Sequence, residues 1–351
     1  MAKHRPVGLD IGTTAVRAAE IDFGSGKSGG TLVAYDEVLL PLGAIRDGEV
    51  ADQGAVSSAL KELWAKGKFR SKDVILGIGN QRVAVRELSL PWMPMPQLRA
   101  SLPYQVQDML PMSTDDALLD FYPTDDYDGD AGRTLDGLLV AAARDTVAAN
   151  VLAVEAAGLH PVMVDLNAFA LLRGMTRGPL GRQTAALVDI GARITNVVIV
   201  ANGVPRFVRA LPSGGQDATD AVARALGISN ADAEALKREL GVGMTSKPEH
   251  ADGAEALAHV SQNLVEAVRN TFSFFTGSQG GAQIDVVALT GGGAHLPGLG
   301  QFLASASRLS VTLGDPVGGL QVAKGIGGRE RFVGHESRMA LPIGLAYGVA
   351  A

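Results

Sequence analysis

At 351 residues the chain is long enough for two domains or one bilobed unit, and 46% hydrophobic with 19% charged residues is ordinary for a folded protein. A net charge of −6 with no evident basic face argues against nucleic acid as a partner. The absence of cysteine excludes disulfides and thiolate metal sites and suits a reducing compartment, and no uncharged apolar run reaches the roughly 18 residues that a membrane-spanning helix needs.

The opening MAKHRPVGLDIG has no long apolar stretch, so no signal peptide is expected there. It reads as a strand from Val7 to Ile11, a Gly12-Thr13-Thr14 turn and a second strand from Ala15 to Phe23. A Gly/Ser-rich turn (GSGKSGG) leads to a third strand, Thr31 to Pro41. Helical spacing of Val56, Leu60, Leu63 and Trp64 predicts a helix over 53–66, and VILGIG at 74–79 is a short buried strand. Residues 82–158 read as an inserted module. It holds a strand at 83–91, a helix carrying Leu98, Leu102, Val106, Met109 and Leu110, a strand pair around an Asp/Gly loop, and a helix from Thr146 to Ala157. A helix is expected from Asp165 to Gly174. Then LVDIGARITNVVIV (187–200) echoes LDIGTTAVRAAEI (9–21): apolar run, Asp-Ile-Gly, short turn, apolar run. Two related lobes are the simplest reading of that echo. Residues 215–275 read as helical, IDVVALT runs into Gly291-Gly292-Gly293, and a helix follows from Leu299 to Ser307.

A glycine turn between strands lets backbone N–H groups approach phosphate oxygens without interference from a Cβ. Thr13 and Thr14 add hydroxyl donors. A carboxylate at the strand end, Asp10, would repel phosphate directly, but it fits a Mg²⁺ held through water. Asp189, with Gly191 and Thr195 in its turn, holds the matching place in the second copy and is a possible second metal contact. Either Asp-Ile-Gly alone is more simply a hairpin turn. The pair, together with Gly291, Gly292 and Gly293 after a third strand, points to a nucleotide clamped between two lobes, its flat base packed on glycine backbone.

These segments resemble the phosphate-1, phosphate-2 and adenosine loops of the actin/Hsp70/hexokinase ATPase superfamily, with DLNAFALLRG and LPIGLAYG resembling its connecting helices. Within it the chain is similar to the FtsA/PilM-like proteins and to the PilM family of type IV pilus assembly, on VDLNAFALLR, on the stretch from PSGGQDATDAV to KRELG, and on PIGLAYG. The resemblance implies an α/β, actin/Hsp70-like bilobed fold with ATP and Mg²⁺ in the cleft. It divides the chain into a lobe-one core (1–81 and 159–182), the inserted partner-binding module (82–158), a lobe-two core (183–214 and 280–351, its final helix closing toward lobe one) and a helical subdomain (215–279). It also implies that Glu234 accepts from ribose hydroxyls and Lys237 flanks adenine, although a solvated helical charge pair would explain those two residues equally well. Arg17 stands where many relatives carry a phosphate-directed Lys, and Asn167 where an acid is common. Slow ATP hydrolysis or none is therefore expected, with no catalytic residue assigned. The implied partner is the cytoplasmic N-terminal tail of PilN, an inner-membrane protein. That places the chain in the cytoplasm, peripheral to the inner membrane through its partner, with self-association possible. The competing readings are an FtsA-like filament-forming division protein and a sugar kinase.

Three other features carry less. Asp126, Asp128 and Asp130 alternate like the start of a Ca²⁺ loop, but the glycine and last-ligand positions are wrong, which leaves a solvated hairpin. The six histidines lack metal-ligand spacing. Pro91-Trp92-Met93-Pro94-Met95-Pro96 reads equally as a partner-binding edge or a rigid connector.

Overall fold

The computed structural model describes residues 5–24, 29–129, 132–243, 247–278 and 282–348. Asp130, Ser25 to Ser28 of the Gly/Ser-rich turn, His4 and the last three residues of LPIGLAYGVAA lie outside them.

Strands β1 (Val7–Ile11), β2 (Ala15–Asp22) and β3 (Thr31–Leu39) form an antiparallel meander in which Asp10 pairs Arg17 and Arg17 pairs Glu37. A two-strand ribbon, β4 (Ile45–Arg46) and β5 (Glu49–Val50), leads to α1 (Gln53–Gly67). Asp52 caps α1 by accepting from the Ala55 N–H, and Lys68 ends it in the left-handed region at φ 54°. Its stripe of Val56, Leu60 and Leu63 is buried against the first sheet, with Val7, Leu9 and Val74. Strand β6 (Asp73–Ile78) returns parallel to β1.

The module follows as β7 (Val83–Pro91), α2 (Met95–Gln105), β8 (Ala117–Gly129), β9 (Gly132–Ala143) and α3 (Arg144–Ala156). Its sheet, ordered β7-β9-β8, has two buried faces. Leu90, Phe121, Leu135 and Leu139 pack on Leu98, Leu102 and Val106 of the α2 region. The alternate residues Val83, Val85, Tyr122, Leu138 and Val140 pack instead with Phe169, Leu172, Val198 and Val208. Helix α3 places Ala153 and Val154 in the same core as α1, so the end of the 82–158 segment packs with the first lobe.

Strand β10 (His160–Leu166) and α4 (Asn167–Met175) come next. The helix expected from Asp165 starts two residues later, because Asp165 and Leu166 pair with Gly77 and Ile78 at the end of β6. The second lobe has β11 (Thr184–Ile190), β12 (Thr195–Ala201) and β13 (Val204–Leu211), then α5 (Gly215–Leu226), α6 (Asn230–Leu240), α7 (Ala251–Ser278), β14 (Val286–Thr290), α8 (Leu299–Ser307) and β15 (Ser310–Leu313). Its sheet order is β13-β12-β11-β14-β15, with β14 parallel to β11, just as β6 runs parallel to β1.

The chain then recrosses. Strand β16 (Gln321–Val322) pairs with β3, which completes the first sheet as β10-β6-β1-β2-β3-β16. Val317, Leu320, Phe332, Met339 and Ile343 join Ile21 and Leu32 in one core. The residues after about 317 therefore pack on the first lobe, well before the final helix α9 (Ala340–Ala346). Helix α9 crosses α4 at backbone distance: a Cβ on Gly344 would sit 1.8 Å from the Ala170 carbonyl oxygen, and one on Gly174 2.6 Å from that of Ala340. Each of the two helices that join the lobes is thus held against the other.

Candidate functional site

The homologous ends of β1 and β11 face each other across the space between the lobes. Asp10 and Asp189 lie at those ends, both buried, and each acts on a cleft lined also by Gly12, Thr13, Thr14, Gly191 and Ala192. The cleft encloses about 1650 Å³, its solvent mouth included. Burial raises the Asp189 carboxyl to about 6, against a hydrogen bond from the Thr290 hydroxyl at 2.9 Å, and the nearby Asp10 adds to the rise. Burial likewise raises Asp10, against the opposing charge of Arg17. Two desolvated carboxylates that repel each other are costly unless a cation lies between them. Among the described residues no group of three or more His, Cys, Asp or Glu is placed to hold a metal. That donor set fits Mg²⁺, which accepts one or two carboxylates and keeps water or phosphate oxygens as its other ligands.

The expected contacts divide. Gly12 and Gly191 close their hairpins by donating to the carbonyls of Ala15 and Ile194. Thr195 does not line the cleft: it is fully buried and its hydroxyl donates to the Ser213 carbonyl at 2.8 Å. Its neighbour Asn196, on the opposite face of the strand, lines the cleft instead. Arg17 lines the cleft but is engaged, with Nε on Glu37 and Nη1 at 3.5 Å from Asp10. Its charge is spent on carboxylates of its own sheet rather than left open to phosphate.

Beside the cleft lies a smaller space of about 710 Å³, walled by Ala218, Val260, Leu264 and Leu296 and sharing Gly215, Glu234, Lys237, Gly292 and Gly293 with it. An apolar wall with a few convergent polar groups suits a nucleoside. Lys237 donates from Nζ to the Gly215 carbonyl at 3.0 Å, to Thr219 Oγ1 at 2.9 Å and to Glu234. Burial opposes ionisation of Glu234, but hydrogen bonds from Lys237, Thr219 and Arg238 hold its carboxyl below the usual range. Lys237 is buried and Glu234 is partly exposed, and the pair braces α5 to α6, with Glu234 accepting on both oxygens. Gly291 sits at φ 82°, where a Cβ would be 2.4 Å from the Ile190 carbonyl oxygen, so glycine is required there. Gly292 has ordinary right-handed helical torsions and only open cavity around its Cβ position.

Several lining groups lay outside the sequence reading. Gly214, beside the nucleoside space, and Gly215, beside both spaces, start α5; the Gly214, Gly215 and Gln216 N–H groups already donate to Asp217, Gly191 and Ala192, so this helix end adds a favourable dipole for an anion rather than open donors; the glycine pair in PSGG is the available signal. Thr146 and Asn150 come from α3 of the 82–158 segment, so that segment reaches the cleft. At that end stand Asn80, Thr146, Asn150 and Asn167, all neutral. Among the described residues the carboxylates lining the cleft are Asp10, Glu37, Asp189 and Glu234, and at this end Glu49 stands just behind the lining, accepting from the Thr146 hydroxyl at 2.6 Å. Asn167 Oδ1 is buried without a hydrogen-bond partner. Away from the cleft, Asp126 is tied to Arg133 by two hydrogen bonds, as a solvated hairpin would have it.

The profile of one family, described as type IV pilus assembly protein PilM, matches residues 8–348. Among solved structures, a PilM–PilN type IV pilus biogenesis complex is similar at 26% identity and a TM-score of 0.85, over 98% of each chain. The ethanolamine utilization protein EutJ from Carboxydothermus hydrogenoformans is similar at 16% identity and a TM-score of 0.56, over 99% of this chain and 90% of that one. MreB5 of Spiroplasma citri bound to AMPPNP is similar at 14% identity and a TM-score of 0.53, over 100% and 97%. The latter two share the fold, which is the bilobed α/β actin-like fold that the resemblance implies.

Proposed function

The chain belongs to the PilM family of type IV pilus assembly proteins, and from that premise we propose that it is a cytoplasmic scaffold that binds Mg·ATP and the N-terminal tail of a PilN-like inner-membrane protein. The observation that carries the nucleotide half is the burial of Asp10 and Asp189 at facing strand ends, beside an apolar nucleoside-sized space. Asp10 and Asp189 would hold Mg²⁺, which would supply the positive charge that both they and a phosphate need. The Gly12–Thr14 and Gly191 turns and the start of α5 surround the phosphates, and Gly291 to Gly293 support the base. Asn167, at the start of α4, can orient a water but cannot take its proton, which limits the protein to a slow ATPase at most.

The partner half rests on the family and on the PilM–PilN structure. Among the described residues no helix is long and apolar enough to cross a membrane, which fits attachment through a partner. The module offers the docking surface: Trp92, under the Arg133 guanidinium, is exposed, and Met93 and Met95, which follow it in the chain, are half-buried against the module core. An extended peptide can add to a sheet edge there and seat side chains among them. Leu102 is fully buried in the module core, so a charge at that position would unfold the module rather than report on docking.

The test is titration of a labelled PilN-tail peptide, with and without Mg·ATP, into the native protein and into Trp92→Ala and Met95→Glu. Both variants should weaken the peptide by about tenfold, the scale of an interface anchor, and leave ATP affinity within about twofold. Full peptide affinity in two folded variants would move the docking site elsewhere.

A further inference from the structure

Among the described residues, four cationic side chains other than histidine line the cleft or its nucleoside annex: Arg17, Lys237, Arg238 and Arg338. Three of them are committed. Arg17 pairs with Glu37 and Asp10, while Lys237 and Arg238 both pair with Glu234. Arg338 has no carboxylate within ion-pair distance among the described residues, and its Nε is buried without a hydrogen-bond partner. It lines both the phosphate cleft and the nucleoside space, so it stands where the two meet.

Its backbone setting is equally specific. Arg338 lies in a short 3₁₀ turn, Glu336–Met339. On one side the turn is fastened to the glycine loop of the second lobe: Gly291 N–H donates to the Ser337 carbonyl at 3.2 Å, and His295 Nε2 lies 2.7 Å from Ser337 Oγ. On the other side Met339 is buried in the first lobe's core with Ile21 and Ile343, and α9 follows directly. The His295 imidazole is held below its usual range by burial and next by the charge of Arg338. A partly buried guanidinium without a carboxylate partner favours an anion at this point.

We propose that Arg338 is the cation that contacts the ribose-proximal phosphates of the bound nucleotide and thereby couples occupancy of the site to the segment joining the two lobes. This rests on the nucleotide reading above and adds to it a residue and a route. A phosphate held by Arg338 would fasten the 336–339 turn, which is already tied to the glycine loop, and so fix α9 and the first lobe relative to the second. Cleft closure would then depend on phosphate and not on the nucleoside alone.

The experiment is calorimetric titration of the full chain with Mg·ATP, Mg·ADP and adenosine, in wild type, Arg338→Gln and Arg338→Lys, each first shown to melt like wild type. Arg338→Gln should lose about tenfold to a hundredfold in affinity for ATP and ADP, the scale of charge-assisted hydrogen bonds, and keep adenosine within about twofold. Arg338→Lys should recover part of the loss, since the charge remains and the planar fork does not. Hydrogen exchange at residues 335–346 should slow on adding ATP in wild type and not in Arg338→Gln. Equal loss for adenosine and ATP, or no loss for either, overturns the assignment. Wild type that binds none of the three ligands overturns the nucleotide reading itself, and is distinguished from the other outcomes by needing no mutant.

Discussion

Gly292→Val should abolish most nucleotide affinity while leaving the fold and its melting temperature almost untouched. The glycine loop contains three residues with different constraints. Gly291 is held at φ 82° against the Ile190 carbonyl, and a Cβ on Gly293 would lie 2.4 Å from the Ile190 side chain. Substituting either would strain the protein before any ligand was added. Gly292 has right-handed torsions that any residue can adopt, and a Cβ there meets no protein atom within 4 Å. The space it faces is the junction of the phosphate cleft and the nucleoside annex. A β-branched side chain is too short and too stiff to swing clear. Overpacking a filled site costs about 1–3 kcal/mol, so Mg·ATP affinity should fall by roughly 5- to 150-fold. Isothermal calorimetry and thermal melting of the same sample check both halves. Gly12→Val and Gly191→Val are less clean, because their Cβ atoms would meet the Ala15 and Ile194 carbonyl oxygens at 3.1 and 2.7 Å. Undiminished ATP affinity in Gly292→Val would remove the glycine loop from the site.

The parts of this site that could be read from the chain are those set by local rules. Each Asp-Ile-Gly hairpin is short, and its apolar runs announce two buried strands with a tight turn between them. The echo of one hairpin in the other then implies a facing pair. What could not be read depends on contacts far apart in sequence, or on a choice of face. Thr195 and Asn196 are adjacent in one strand, and the period of two sends one toward Ser213 and the other into the cleft. Arg17 has the right position and charge for a phosphate, yet Glu37, in register on the next strand, captures it. Asp165 and Leu166 fit a helical run equally well until β6 offers them a parallel partner. Leu102 belongs to a helical stripe, and only the module's sheet shows which side of that stripe is core. The final helix is marked by LPIGLAYG, but the earlier return of residues 317–339 to the first lobe has no such motif, although it is this return that carries Arg338 to the cleft.

Asp189→Asn should stabilise the metal-free protein near neutral pH and at the same time remove most of its Mg²⁺-dependent ATP affinity. Burial is the largest cause of the rise in the Asp189 carboxyl from 3.8 to about 6. A folded-state value above the unfolded one means that the folded protein holds this proton more tightly. Its contribution to stability is therefore fully present below about pH 4 and is lost as pH rises through about 6. Above that the buried anion burdens the fold by about 3 kcal/mol, the size of a two-unit shift. In EDTA, melting of the wild type should therefore show a stabilising component on acidification from about pH 7.5 to pH 5.5, and Asp189→Asn should lack it. An amide oxygen still accepts from the Thr290 hydroxyl, so the local packing survives the change. Mg²⁺ held by Asp10 and Asp189 would reverse that effect in the wild type, because a divalent cation would compensate both charges. ATP affinity in Mg²⁺ should accordingly fall about a hundredfold in the variant, the scale of removing one partner of a buried charge pair, and should fall in the wild type below about pH 6. In EDTA the variant should bind ATP no worse than wild type, since one negative charge facing the phosphates is gone. Asp10→Ala should show the same dependence on the metal. Equal losses with Mg²⁺ and with EDTA would place these aspartates on the nucleotide directly and end the metal assignment.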